Sequence, residues 1–373
     1  MARNQTASRG ESVIAGSKLV VAGYYYCGNL GDDALLYGFL TSLGDAPAQI
    51  TVLAGNPVQC TRELNVRAVD RRNFSEIKKE LESADALVFA GGSILQDVTS
   101  VFSMGYYTKL IKLAKSLDKK VIMLAQGIGP VNSMFGKNMA RTALKTADVL
   151  TVREPQSIQV MRGLGVNRPV EVTADFAWLV QPSESGSDFQ LGTMKTVGIC
   201  ARPWKNDKKI IAAFGDFAQI LFRNQYVPVL IEMDKSMDTA MLDSIAKLHG
   251  GRCPDMRNIP GPGNLAARLR RMHAVVSMRL HGGIMAAAGG VPPLMIAYDP
   301  KVTAFCNLLE LPAPVSLENL TGDKLWQAFM AFERDRDRIL ALIELKKDEQ
   351  TSLALKNVNI LQQALPGLAG APN

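Results

Sequence analysis

Val275-Val276-Ser277-Met278-Arg279-Leu280-His281-Gly282-Gly283 decides how this chain is read. Its first four residues form a short run led by two β-branched valines, which suits a buried strand. Gly282 and Gly283 then turn the chain into an Ala-rich helix that runs to Ala288. A strand followed at once by a helix is the repeating unit of a parallel α/β sheet. Arg279 and His281 fall between the two, at the C-terminal edge of the strand, where open α/β sheets bind ligands. Arg carries a fixed fork of donors for carboxylate or phosphate, and His is suited to moving a proton near neutral pH. The pair reads as a site that grips an anion and protonates something.

Working outward, the same unit recurs. Strands are predicted over residues 18–23, 49–53, 85–90, 121–125, 149–152 and 170–173, with helices over 33–43, 106–117, 137–147 and 155–164 between them. Residues 181–193, rich in Pro, Ser, Glu and Gly, break the pattern and read as a linker. Strands then resume over 196–200, 227–232, 274–278 and 293–297, with helices over 208–222, 237–248 and 265–271. The expected fold is α/β: two Rossmann-like doubly wound domains, 18–180 and 194–321, facing a cleft. Residues 1–17 read as a polar tail without the apolar stretch of a signal peptide. Residues 322–373 read as a helical tail that either crosses back to the first domain or pairs with another subunit, so a homo-oligomer stays open. Its run Arg334-Asp335-Arg336-Asp337-Arg338 reads as a solvated helix face.

Composition narrows the partners. The chain has 373 residues, 47% hydrophobic and 21% charged, too long for one ordinary core and suited to two. No apolar run reaches the roughly 18 residues of a membrane span. Five cysteines without C-x-x-C spacing point to reduced, cytoplasmic thiols. Three histidines, none at metal-ligand spacing, argue against a zinc site, and no metal is expected. A net charge of +7 favours anionic partners: a phosphorylated metabolite, an anionic membrane face or nucleic acid. With 6% aromatics and no basic helix interleaved with them, nucleic acid is set aside.

Other strand ends carry candidate groups. Gly28-Asn29-Leu30-Gly31-Asp32-Asp33 precedes the first helix. Its small residues allow backbone approach to a ligand, while the two carboxylates either cap the helix or hold sugar hydroxyls and take a proton from one. It is not the G-x-G-x-x-G of a dinucleotide site. Gly91-Gly92-Ser93, followed by Gln96-Asp97, is either a tight βα turn or a place where backbone meets ligand. Arg153 ends the 149–152 strand and is either half of a surface pair with Glu154 or an anion ligand. In Tyr298-Asp299-Pro300-Lys301, Asp299 suits a helix cap and Lys301 is either a second cation at the anion site or solvated. His249 and His273 are read as structural, and Met272, Met278, Met285 and Met295 as core.

Together these pieces resemble the polysaccharide pyruvyl transferase family. The resemblance rests on Gly28 to Asp32, Gly91 to Ser100, Gln126-Gly127-Ile128-Gly129-Pro130, Arg153 to Ser157, Thr173-Ala174-Asp175, Arg279-Leu280-His281 and Tyr298 to Lys301, in the family's order. The stretch from Gln96 to Ser100 is most similar to the branch that pyruvylates secondary cell-wall polymers, whose product anchors surface-layer proteins. Two departures stand out: Ala90 where the family has the first of three glycines, and Asp33 where it has glutamate.

The resemblance implies a fold similar to B-type glycosyltransferases, no cofactor, and phosphoenolpyruvate as co-substrate. Arg153, Arg279, Leu280, His281 and Lys301 would then bind the donor. Gly28, Asn29, Gly31, Gly91, Gly92, Ser93, Gln96 and Asp97 would line the acceptor side. His281 and Arg279 would be catalytic, with Asp32 or Asp33 as base. The implied acceptor is a lipid-linked or polymeric amino sugar such as N-acetylmannosamine, met in the cytoplasm at the inner membrane face. Two rivals share the fold: a glycosyltransferase using a nucleotide sugar, with Glu310 as candidate ribose ligand, and a non-catalytic sugar-phosphate-binding protein.

Overall fold

The computed structural model describes residues 16–44, 49–97, 101–183, 194–251 and 253–365. Most of the N-terminal tail, most of the 181–193 linker and residues 98–100 of the cell-wall-branch stretch lie outside the described residues.

The first half runs β1 (Lys18–Ala22), α1 (Leu30–Ser42), β2 (Gln49–Ala54), α2 (Pro57–Leu64), β3 (Arg67–Asp70), α3 (Phe74–Ser83), β4 (Ala86–Leu95), α4 (Val101–Ser116), β5 (Lys120–Ile128), α5 (Met134–Thr146), β6 (Val149–Val152), α6 (Pro155–Gly163) and β7 (Glu171–Val172), then a 3₁₀ turn (Phe176–Leu179). The second runs β8 (Lys195–Cys200), α7 (Asp207–Arg223), β9 (Tyr226–Ile231), α8 (Lys235–Leu248), β10 (Asp255–Met256), α9 (Pro262–Leu269), β11 (Ala274–Ser277), α10 (Leu280–Ala288), β12 (Pro293–Ala297), α11 (Pro300–Leu308) and β13 (Val315–Ser316), then α12 (Gly322–Arg334) and α13 (Arg336–Ala364).

Two parallel sheets result, in the orders β3-β2-β1-β4-β5-β6-β7 and β10-β9-β8-β11-β12-β13. Each is wound outward from its first strand, so the order reverses beside β1 and beside β8. The crevice at such a reversal, past the carboxyl ends of the strands, is where ligands of these folds sit. Central strands are buried on both faces: Leu19, Val20, Val21 and Ala22 of β1 are all in the interior, as helix-covered parallel strands require.

One of the two apolar clusters runs through both halves, and the other lies within the first. Phe39 of α1 packs edge-on against Phe176, with ring centroids 5.3 Å apart, and both join a cluster that includes Leu265, Ile284 and Leu361. Backbone bonds tie the halves at the cleft floor: Leu30 N–H donates to Met233 O (2.8 Å) and Lys235 N–H to Gly28 O (3.1 Å). α13 packs back onto β5, α1 and the 3₁₀ turn.

Several sequence expectations are corrected. Gly91 and Gly92 do not end β4. The strand continues to Leu95, still paired with β5, through an irregularity after Gly92. Both glycines take positive φ (82° and 93°), and this lets the strand bend without leaving the sheet. Gly282 and Gly283 are not the turn before α10 but lie inside it. A Cβ on Gly283 would come within 2.4 Å of the Met295 sulfur, so glycine lets the helix press onto β12. The charge run is not one solvated face, because the chain breaks between α12 and α13 at Asp335. Arg336 turns inward there and donates to His273 O (2.7 Å). No helix among the described residues is long and apolar enough to cross a membrane.

Candidate active site

Three arginines stand just past the C-terminal ends of parallel strands: Arg153 after β6, Arg202 after β8 and Arg279 after β11. They converge with Asn29, Gly31, Asp32, Ser93, Gln96, Leu280, His281 and Lys301 around a cavity of about 160 Å³. It shares Asn29, Asp32, Ser93, Gln96, Arg202, Trp204, Arg279 and His281 with a larger compartment of about 710 Å³, which Tyr24, Tyr107 and Asp234 also line.

Arg279 is the N-cap of α10. Its carbonyl accepts from Ser277 Oγ (2.6 Å), which fixes the turn. Its guanidinium bonds Asp238, with Asp234 at 3.7 Å. His281, in the first turn of α10, lies against the first turn of α1. A Cβ on Gly31 would fall 2.4 Å from His281 Nδ1, so only glycine leaves room for the ring. Arg279 Nε and His281 Nε2 are both buried without a hydrogen-bond partner among the described residues. Buried donors are seldom left unpaired, because desolvation without a bond costs about 1–3 kcal/mol. Arg279 and His281 line the cavity together with Arg153, Arg202 and Lys301, and this excess of cationic groups suits an anionic ligand.

Arg153 has a bond from each of its three guanidinium nitrogens. It donates from Nη1 to Asp175 Oδ2 (2.6 Å), from Nε to Glu154 (3.0 Å) and from Nη2 to Ser93 Oγ (3.0 Å). Asp175 Oδ2 is also 3.7 Å from His281 Nε2. Burial alone would raise the Asp175 carboxyl, yet Arg153 and His281 beside it hold it well below the usual carboxylate range. Burial and the neighbouring Arg153 push the Lys301 amine down to about 8. Asp32 faces the cavity. Burial raises its carboxyl above the ordinary value, while His281, Arg153 and Arg279 act in the opposite direction.

Asp33 is placed elsewhere, which corrects its reading as a candidate base. One residue further around α1, it points away from the cavity and accepts from Tyr26 N–H (2.6 Å), and burial raises it to about 8. Asp97 is likewise not a cleft residue. It accepts from Asn132 N–H, Ser133 N–H (2.8 Å each) and Ser133 Oγ (2.7 Å), and so holds the loop that starts α5. Gly28, Gly91 and Gly92 also lie outside the cavity lining, and the Gly28 carbonyl accepts from Lys235 N–H. Lys301 lines the cavity rather than solvent, and Asp299 caps α11 by accepting from Lys301 N–H (2.9 Å). Glu310 is ion-paired to Lys346 (3.0 Å), away from both compartments. His273 contacts Glu333 (2.7 Å) at the α12 interface.

Asp175, Asp238, Arg202 and Trp204 had no assigned role in the sequence. Asp175 appears in the sequence only within the Thr173-Ala174-Asp175 motif, and Arg202 carries a positional signal, since it follows a strand as Arg153 and Arg279 do.

Residues 29–300 match the model of the polysaccharide pyruvyl transferase family, which is most of the chain. The chain belongs to that family, and so to the transferases of polysaccharide biosynthesis. Among curated proteins it is similar to the amylovoran biosynthesis protein AmsJ of Erwinia amylovora, 22% identical over 368 residues, covering 80% of this chain and 88% of that one. Among solved structures it is similar to S. aureus MnaA with UDP (TM-score 0.68, 11% identity, 96% of this chain and 99% of that one). It is also similar to Anabaena HepE in complex with UDP-glucose (TM-score 0.61, 11% identity, 93% and 98%). At such identities the likeness is one of fold: two Rossmann-like halves in the B-type glycosyltransferase arrangement.

Proposed function

We propose that this chain transfers the pyruvyl group of phosphoenolpyruvate to two hydroxyls of one sugar, forming a cyclic ketal and releasing phosphate. The observation that carries this reading is the convergence of Arg202, Lys301 and His281 with the carboxylate of Asp32 around one small cavity. Phosphoenolpyruvate offers a carboxylate and a phosphate on three carbons, which calls for convergent cations. Its methylene carbon must gain a proton before C2 becomes electrophilic.

In this mechanism His281 delivers that proton to the methylene carbon, and Asp175 beside it steadies the imidazolium. One sugar hydroxyl bonds to C2 and gives its proton to Asp32. The C2–O bond to phosphate then breaks with its electron pair going to phosphate, and the neighbouring hydroxyl bonds to C2 and gives its proton to the departing phosphate. A carboxylate raised above its ordinary pKa is the better base for the first hydroxyl. The cationic side chains offset the charge of the departing phosphate.

For the acceptor we propose a lipid-linked or polymeric saccharide in the larger compartment, with N-acetylmannosamine of a cell-wall polymer as the narrower version. The +7 charge supports loose attachment to the anionic inner face of the membrane. The alternative, a nucleotide-sugar glycosyltransferase, has the UDP-bound neighbours in its favour. Against it, Glu310 stands outside the cavity.

Incubation with phosphoenolpyruvate and a panel of lipid-phosphate disaccharides, read by mass and by phosphate release, tests the proposal. The expected result is one acceptor that gains a pyruvyl ketal. Thermal protection by UDP-sugars with none by phosphoenolpyruvate would overturn it.

A further inference from the structure

The cations around the cavity fall into two kinds. Arg153 has all three guanidinium nitrogens bonded within its own half, two of them to carboxylates. Arg279 is bonded to Asp238, with Asp234 close behind. Their charges are already matched inside the protein. Arg202 and Lys301 line the same cavity, and among the described residues neither forms an ion pair with a carboxylate.

Arg202 is nevertheless held in place. Its guanidinium carbon lies 4.7 Å from the Tyr298 ring centroid and 5.6 Å from that of Trp204. The two rings meet edge-on at 5.1 Å. Nη1 donates to Tyr298 Oη (3.1 Å) and Nε to Pro203 O (3.4 Å). A guanidinium has five N–H donors, so these bonds leave most of the fork unused. Aromatic faces attract a cation without cancelling its charge. The result is an oriented, uncompensated guanidinium just past β8, the strand beside which the second sheet reverses order. Arg202 lines both compartments, so it stands where they join.

Resting on the phosphoenolpyruvate reading, we propose that Arg202 is the residue that clamps the donor's phosphate and follows it as it leaves. Arg153 and Arg279 act as the frame that positions Asp175, Ser93 and the turn before His281. A phosphate carries close to two negative charges at neutral pH, and it is best met by charge the protein has not already spent. Arg presents two parallel N–H groups to it and stays protonated throughout.

Thermal-shift titrations of the wild type, Arg202→Gln and Arg202→Lys with phosphoenolpyruvate, inorganic phosphate and pyruvate test this. Pyruvate has the donor's carboxylate but no phosphate. In Arg202→Gln the half-saturating phosphoenolpyruvate concentration is expected to rise at least about tenfold, the size of one charge-assisted hydrogen bond. Protection by inorganic phosphate is expected to vanish and protection by pyruvate to persist. Arg202→Lys is expected to recover part of the phosphate effect, and it decides the matter alone if Arg202→Gln does not fold. Wild-type phosphate binding in both variants overturns the assignment while leaving the donor intact. So does loss of pyruvate binding with phosphate retained. A wild-type protein that phosphoenolpyruvate does not protect removes the donor, and this assignment with it.

Discussion

The two walls of the cleft come from sheets of the same winding but leave different groups uncompensated. The first wall, built on the ends of β1, β4 and β6, presents Asp32 without an ion pair among the described residues, while its Arg153 is tied to Glu154 and Asp175. The second wall, built on the ends of β8, β11 and β12, presents Arg202 and Lys301 without ion pairs, while its Arg279 is tied to Asp238. A carboxylate without a partner can accept a hydroxyl proton, and cations without partners can hold an anion. On the proposed mechanism, acceptor activation would fall to the first wall and donor binding to the second. His281 is covalently part of the second wall but lies against Gly31 and near Asp175 of the first, so it stands where the two reactants would meet.

The largest expected effect of breaking this arrangement is at the meeting point. His281→Ala should lower phosphate release by about 10³-fold, within the usual range for loss of a positioned acid, and near-normal turnover would remove its role. Asp175→Asn comes next, because it leaves buried Arg153 short of a partner, which costs about 3–5 kcal/mol. Chemical denaturation at neutral pH reads that loss directly. The sign follows from the depressed carboxyl. Its stabilisation is fully present above the unfolded value of about 3.9 and fades as the pH falls through the lower folded value, so the gap between wild type and variant should close in acid.

Asp32 and Asp33 sharpen the comparison further. Asp32→Asn should cost about a hundredfold in turnover, as for a lost general base. Asp33→Asn should stay within about threefold of wild type, because that group faces Tyr26 rather than the cleft. Equal losses in the two variants would undo the distinction. The smallest effect expected is in pH dependence. Lys301 is charged below about 8 and neutral above it, so kcat/KM for phosphoenolpyruvate should fall as the pH rises through that value. Lys301→Arg should hold the activity to higher pH.

Much of the fold was legible because buried parallel strands read as short apolar runs, and β1, β5, β8 and β11 are of that kind. The stretch from Pro57 to Ser83 carries no such run, although α2, β3 and α3 lie in it. There β3 is an outer strand with only Val69 buried, and α2 and α3 are short helices whose apolar positions are few. The two-residue strands β10 and β13 exist only through their pairing with β9 and β12, which no local pattern can report. In the site, Arg279 and His281 were legible because a strand end is a definable place. Asp32 and Asp33 could not be separated, since adjacent residues of one type differ only in helix phase, and the phase is set by what α1 packs against. Asp175 was visible only as a motif. Its partners Arg153 and His281 are 22 and 106 residues away, and only the tertiary fold brings them to it.

Asn357, deep in α13, has further reach than its distance from the cavity suggests. Its side-chain oxygen accepts from Thr151 and Thr173 (2.6 and 2.9 Å), and its amide donates to Ala174 O (3.1 Å). These are the last residues before Arg153 and Asp175. A C-terminal deletion that removed this one amide would therefore loosen the strand ends from which the Arg153–Asp175 ion pair projects. Shortened versions of the chain should be judged first by their chemistry, even where they still fold.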